Sequence, residues 1–172
     1  QHTIDCSNIE LLAAKEIRKF IYLRTDSLLE IVESNNLRNS KNIILLARDD
    51  HPTISNLRNA LNDTCPKGGF IIKTVQKDKR NVLIISGFDS QAVLYGAYRF
   101  AEHLGVGYDL AGDIIPDRKI KLDISDYDEK AKPVLETRGI QPFHDIFEGT
   151  DLWSVSDYEA IISQLPKLGM NF

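Results

Sequence analysis

The stretch NVLIISGFDSQAVLYGAYRFAEHLG, residues 81–105, decides the fold. Val82 to Ile85 are apolar without alternation, the pattern of a central strand buried on both faces. Gly87 then breaks the run, and Asp89 or Ser90 supplies an N-cap. Ala92, Val93, Tyr95, Gly96, Ala97, Phe100, Ala101 and Leu104 follow along a helix that Gly105 caps. Gly96 and Ala97, lacking bulk, let that helix lie close on a sheet.

A strand, a glycine and a helix N-terminus together raise the question of phosphate binding. The details speak against it. Gly87 is the single glycine of the turn, no GxGxxG or Lys/Ser pair is present, and Asp89 would repel a phosphate. The segment reads as a packing unit.

Working outward towards the N-terminus, KGGFIIKTVQKDKRNVLIISG contains two β-rich runs around the charged turn 77–80, which predicts an antiparallel hairpin. In its first arm Phe70, Ile72 and Thr74 alternate with Ile71, Lys73 and Val75. NIILLARDD, beginning at Asn42, is another continuous apolar run of strand length, and HPTISNLRNALNDT after it predicts one helix capped near Thr53 or Ser55. Ser7 caps a first helix over residues 8–24, with a stripe of Ile9, Leu12, Ala13, Glu16, Ile17, Phe20 and Ile21. SLLEIVESNNLRNS has a weaker helical or strand pattern that dissolves into a polar loop.

Towards the C-terminus, VGYDLAGDIIPD and KIKLDISDYD predict short extended segments leading off the domain, with YDEKAKPV as the boundary. From Pro133 the pattern changes to a strand and exit loop, VLETRGIQPFHDIF, a helix, SVSDYEAIISQLPKLG, and a resumed extended state at MNF. Pro166 bends or ends that helix. Strand, loop, helix and strand make one α/β repeat, too small to stand alone.

The whole-chain numbers set limits. The chain has 172 residues, 42% of them hydrophobic and 27% charged, and a formal charge of −4 with its basic residues scattered. A nucleic-acid partner therefore lacks its electrostatic footprint. The longest apolar runs have strand length, short of the roughly 20 residues of a membrane span. Cys6 and Cys65 match no metal motif and are expected to be two structural thiols, although a disulfide is open to them. No cofactor or metal site is expected. The first residue is Gln1, consistent with removal of an export signal or with a cloning choice, and an exported, periplasmic or cell-surface location is the expectation.

The run G-F-D-S-Q-A-V-L-Y-G, then EHLGV, then GYDLAGDIIP, resembles the small α/β domain that precedes the catalytic barrel in family 20 β-hexosaminidases and family 67 α-glucuronidases. The likeness covers residues 42–116. T-R-G-I-Q-P-F-H-D followed by DLWSVSDYEAIISQLPKLGMNF resembles the first strand, loop and helix of that barrel; QPFHD departs from the leucine- and aspartate-containing continuation of the hexosaminidases.

The resemblance implies a small α/β sandwich with a mixed sheet over residues 1–130 and the start of a (β/α)8 barrel over 131–172. It implies the non-catalytic N-terminal part of a secreted glycoside hydrolase. The catalytic carboxylates would lie on later barrel strands, outside this chain, which alone should be inactive. Its partners would be the catalytic barrel and, through it, an oligosaccharide or glycoside substrate. Arg138, at the C-terminal end of the first barrel strand, would offer a planar fork to sugar hydroxyls or a uronate. His144 and Asp145 would add hydrogen bonds, and Phe143, Phe147 or Trp153 a stacking face.

Structural roles compete with each of these. Arg138 can pair with Glu136 or Asp145, His144 can be a satisfied loop histidine, and Trp153 can staple the helix that Ser154 caps. Two other functions remain open: a stand-alone carbohydrate-binding or protein-interaction module, and a small-ligand Rossmann-like domain.

Overall fold

Ser7 opens the first helix by exchanging two hydrogen bonds with Glu10. The Ser7 amide donates to Glu10 Oε2 at 2.8 Å and the Glu10 amide donates to Ser7 Oγ at 3.2 Å, a capping box that satisfies two amides the helix cannot. The computed structural model describes residues 1, 6–35, 37, 40, 42–77, 79–141 and 149–172. In it helix α1 runs from Asn8 to Thr25 and docks through Ala13, Ala14, Ile17, Phe20 and Ile21. Leu12, placed in the stripe by the sequence, is 43% exposed. The buried line instead includes Glu10 and Arg24, two charged residues that also take partners from distant segments.

Strand β1 (Asn42–Arg48) is followed by two short helices, α2 (Pro52–Ser55) and α3 (Arg58–Leu61), where the sequence suggested one. The cap is His51, whose Nδ1 accepts from the Thr53 amide at 3.2 Å, with Pro52 at the first helical position. The break at Asn56 and Leu57 lets Ile54, Leu57 and Leu61 all reach the same buried face.

Strands β2 (Phe70–Lys77) and β3 (Arg80–Gly87) form the expected hairpin, and its turn uses Lys79 in the left-handed region, φ 62°. β1 lies parallel to β3, from Asn42 opposite Asn81 to Arg48 opposite Gly87. Helix α4 (Ser90–His103) follows, with Asp89 Oδ1 accepting from the Ala92 amide at 2.8 Å. Gly105 continues past its end at φ +87°.

The chain then makes a small hairpin, β4 (Gly107–Asp109) and β5 (Gly112–Ile114), and returns as β6 (Asp128–Ala131), antiparallel to β2. The sheet order is β1-β3-β2-β6, a mixed sheet of the α/β class. The extended segments read over 106–117 and 119–128 therefore do not lead off the domain but pack back onto it. Ile120, Leu122 and Tyr127 pack against the core and Ile124 is buried within it, while Thr74 donates from its amide to Tyr127 O and from Oγ1 to Ile124 O, each at 2.8 Å. DEKA lacks the β-branched and aromatic residues that mark a strand; backbone pairing to β2 gives it its place.

Both faces of the sheet are covered, which is why β1 and β3 read as continuous apolar runs. On one face Ile44, Leu46, Ile72, Leu83 and Ile85 meet α1 and α4. On the other Ile43, Leu45, Ile71, Val82 and Ile84 meet Ile54, Leu57, Leu61 and Cys65. Gly96 brings α4 so near that a Cβ there would stand 2.9 Å from Ile85 Cγ2. Cys6 and Cys65 form no disulfide.

The tail beyond Ala131 carries a 3-10 turn at Thr150–Leu152 and helix α5 (Val155–Gln164), capped by a Ser154–Asp157 box and finished before Pro166. The Trp153 ring packs edge-on against Tyr158 at 5.4 Å, a hydrophobic staple. Among the described residues the tail forms no regular strand. The stretch around Arg138 instead meets the C-terminal residues locally, the amides of Asn171 and Phe172 donating to Arg138 O at 2.8 and 3.0 Å.

Candidate functional site

The tail folds back over the start of α4, and between them lies an open cleft of about 510 Å³. Three pieces of the α/β domain form one wall: the turn at Pro66–Gly68, the loop Phe88–Asp89, and the first turns of α4 through Gln91 and Tyr95. Lys132 to Arg138, with Asn171, form the other.

Arg138, the first of the sequence-derived candidates, lines this cleft half-buried. Its guanidinium is held in place by backbone carbonyls: Nε donates to Gly169 O at 2.6 Å and Nη1 to Leu135 O at 2.7 Å. It also lies 5.7 Å from the centre of the Tyr95 ring, within cation–π range. Asn171 fixes the same stretch, its Oδ1 accepting from the Arg138 amide at 2.8 Å and its Nδ2 donating to Glu136 O at 2.9 Å. The Glu136 carboxylate takes a different partner, Lys67 at 2.9 Å, which holds its pKa below the ordinary glutamate value. His144, Asp145, Phe143 and Phe147 lie outside the described residues.

Tyr95 joins the two walls. Its hydroxyl donates to Met170 O at 3.1 Å. Burial raises its phenol pKa, and the neighbouring Arg138 charge opposes part of that rise. Beside it, Phe88 projects into solvent at 48% exposure from a backbone that is itself fixed, its amide donating to Gly69 O at 2.9 Å. The sequence reading counted Tyr95 as core and did not single out Phe88. The available signal was an aromatic side chain between the strand-ending Gly87 and the capping Asp89, where a buried packing role has no room.

The arrangement brings together an aromatic face, an amide, cations and carboxylates. It offers no nucleophile–base pair, and among the described residues no three His, Cys, Asp or Glu side chains are grouped to hold a metal ion. It is suited to binding. No helix among the described residues is long and apolar enough to cross a membrane.

Compared with known proteins, residues 3–100 match the family model of the glycosyl hydrolase family 67 N-terminus. No curated protein matches the chain.

Proposed function

Because the chain belongs to the glycosyl hydrolase family 67 N-terminus, we propose that it serves as the accessory part of a secreted carbohydrate-degrading hydrolase, supporting a catalytic (β/α)8 barrel and lending it a substrate-contacting segment. The observation that carries this reading is the tail's apolar surface. Val134 is 97% exposed, and Leu135, Leu152, Val155, Ile162 and Phe172 of the same segment are all well exposed. Exposed apolar side chains concentrated in one segment in this way support a docking role towards further protein.

In this reading Arg138 stands where the accessory domain meets the barrel. Backbone carbonyls fix its Nε and Nη1, so the guanidinium plane is positioned before substrate arrives, which lowers the ordering cost of binding. Such a group binds and orients sugar hydroxyls, while proton transfer belongs to carboxylates of the barrel. His144 and Asp145 are further substrate contacts in this proposal.

The test has two arms. The 172-residue chain incubated with chromogenic α-glucuronides and β-N-acetylhexosaminides is expected to give no turnover; hydrolysis would overturn the accessory role. The reading frame after Phe172 is expected to continue into further strand–helix repeats with acidic strand ends. In the whole hydrolase, Arg138→Lys should raise KM with little change in kcat, and an unchanged KM would remove Arg138 from the substrate contacts.

A further inference from the structure

We infer that the cleft between Phe88 and the tail is a sugar-binding subsite shared by the α/β domain and the tail, taking an uncharged pyranose unit of an oligosaccharide with Phe88 as its stacking face. The ligand class rests on the hydrolase reading above; the cleft does not.

The first ground is that Phe88 is held at the surface by its surroundings. Strand β3 ends at Gly87, where a Cβ would come within 2.2 Å of the Val93 amide nitrogen, so the chain passes directly from sheet to helix. The Phe88 amide is tied to Gly69 O, and the next residue, Asp89, is committed to capping α4. The backbone on both sides of the ring is thus determined by packing, which fixes the point at which the ring leaves the chain at the cleft. An exposed ring on a rigid loop offers contact area at low ordering cost.

The second ground is the chemistry of the rim. A pyranose has apolar C–H faces and a girdle of hydroxyls. The cleft has a corresponding division: Phe88 and the Pro133 ring provide apolar surface, while Gln91, Lys132 and Arg138 carry groups that hydrogen-bond to hydroxyls. At about 510 Å³ the space is within the usual range for small-molecule sites, roughly 300–1,000 Å³.

The third ground is charge. Lys67 is paired with Glu136, and Asp89 places a carboxylate at the N-terminus of α4, where a phosphate would otherwise be attracted. Of the two remaining cations, Lys132 and Arg138, the Asp89 carboxylate balances one, so the lining keeps a single excess positive charge and exerts only a modest pull on an anion. A neutral polyhydroxylated ring fits this balance better than a nucleotide or a sugar phosphate.

The experiment is an amide-resolved NMR titration of the 172-residue chain with cellotetraose, xylotetraose and chitotetraose, and with glucose 6-phosphate as the charged comparison. At least one neutral tetrasaccharide is expected to shift the resonances of Gly68, Phe88, Gln91 and Tyr95 at millimolar concentration. Phe88→Ala should weaken that binding at least about tenfold while leaving the thermal midpoint unchanged, because the ring is solvent-exposed. Gln91→Ala should weaken it by a smaller factor.

The proposal is overturned if none of the tetrasaccharides shifts these resonances, if Phe88→Ala binds as tightly as the parent chain, or if the sugar phosphate binds more tightly than every neutral sugar. Phe88-dependent binding in a protein whose whole reading frame hydrolyses no glycoside would keep the subsite and remove the hydrolase reading. Hydrolysis by the whole protein with no sugar effect at Phe88 would do the reverse.

Discussion

Lys167 Nζ and Asp113 Oδ1 meet at 2.5 Å with side chains only 8% and 16% exposed, and this pair fastens the tail to the β4–β5 hairpin. Lys19 of α1 approaches the other carboxylate oxygen at 3.3 Å, so one aspartate links three segments. Burial alone would push the Asp113 pKa up. The two lysines outweigh it and hold the group below the ordinary value of 3.8.

The sign of the pH dependence follows. A carboxyl whose folded pKa is depressed contributes stability that is complete above 3.8 and is lost as pH falls through the lower folded value. The tail should therefore loosen in acid before the sheet unfolds. Protection factors over residues 155–172, referred to the intrinsic exchange rate at each pH, should fall several-fold below pH 4 while β1 and β3 stay protected, and Asp113→Asn should show the same change at pH 7. Equal protection of the tail in both would contradict this role for the pair.

Arg24 leads to a second prediction. It is 4% exposed and reaches the backbone carbonyls of Leu104 (2.7 Å), Pro116 and Arg118 (2.7 Å), so a side chain of α1 holds the end of α4 and the segment after β5. Its charge also lies at the negative end of α4. Arg24→Met, which keeps much of the stem and removes the donors, should cost about 3 kcal/mol through unsatisfied buried carbonyls. The urea midpoint would reveal this, and a loss below about 1 kcal/mol would show that water replaces the guanidinium.

Gly87 gives a third. An added Cβ would meet the Val93 nitrogen at 2.2 Å, the Ala92 carbonyl carbon at 2.6 Å and Asp89 O at 2.8 Å, all backbone atoms that cannot turn aside. Gly87→Ala should lower stability by about 3 kcal/mol, at the upper end of overpacking costs, and shift Phe88 with it. Circular dichroism melting together with the Phe88 amide resonance would measure both effects.

The cysteines give a fourth. Burial pushes the Cys65 thiol up to about 12, and its S–H donates to Ser86 O at 3.2 Å. The thiolate needed for reaction is almost absent at neutral pH. Ellman's reagent should label Cys65 only as fast as the protein unfolds, with the rate rising in step with urea. Rapid labelling of both cysteines in the native chain would contradict this burial.

How much of this could be read from the sequence depended on where the determining contacts lie. β1, β3, the hairpin, α4 and the caps at Ser7, Asp89 and Ser154 were legible because each is dictated by neighbours a few residues away. β6 was not, since DEKA is placed by hydrogen bonding to Phe70–Lys73 across the sheet. The burial of Glu10 and Arg24 was hidden for the same reason: their partners, Arg48 and Ser90 for one and the 104–118 carbonyls for the other, are far along the chain. Arg138 was legible as chemistry, but its partners were not. Of the two structural pairings open to it, the Glu136 carboxylate gives way to carbonyls at Leu135 and Gly169, and Asp145 lies outside the described residues. The cleft escaped notice because its walls come from four separated segments, and no spacing rule connects Gly68 to Phe88, Lys132 or Asn171.

The late return of β6 has a consequence for synthesis on the ribosome. By the time α4 has emerged, β1, β3 and β2 can pair, yet the outer edge of β2 is bare and the core beneath Phe100 lacks Ile124 and Tyr127. The nascent chain must then wait for about two dozen more residues, one to several seconds at ordinary elongation speeds of about 5–20 residues per second. During that interval an unpaired apolar strand edge is exposed, and slowing translation between residues 105 and 131 should increase the fraction of chains lost to aggregation.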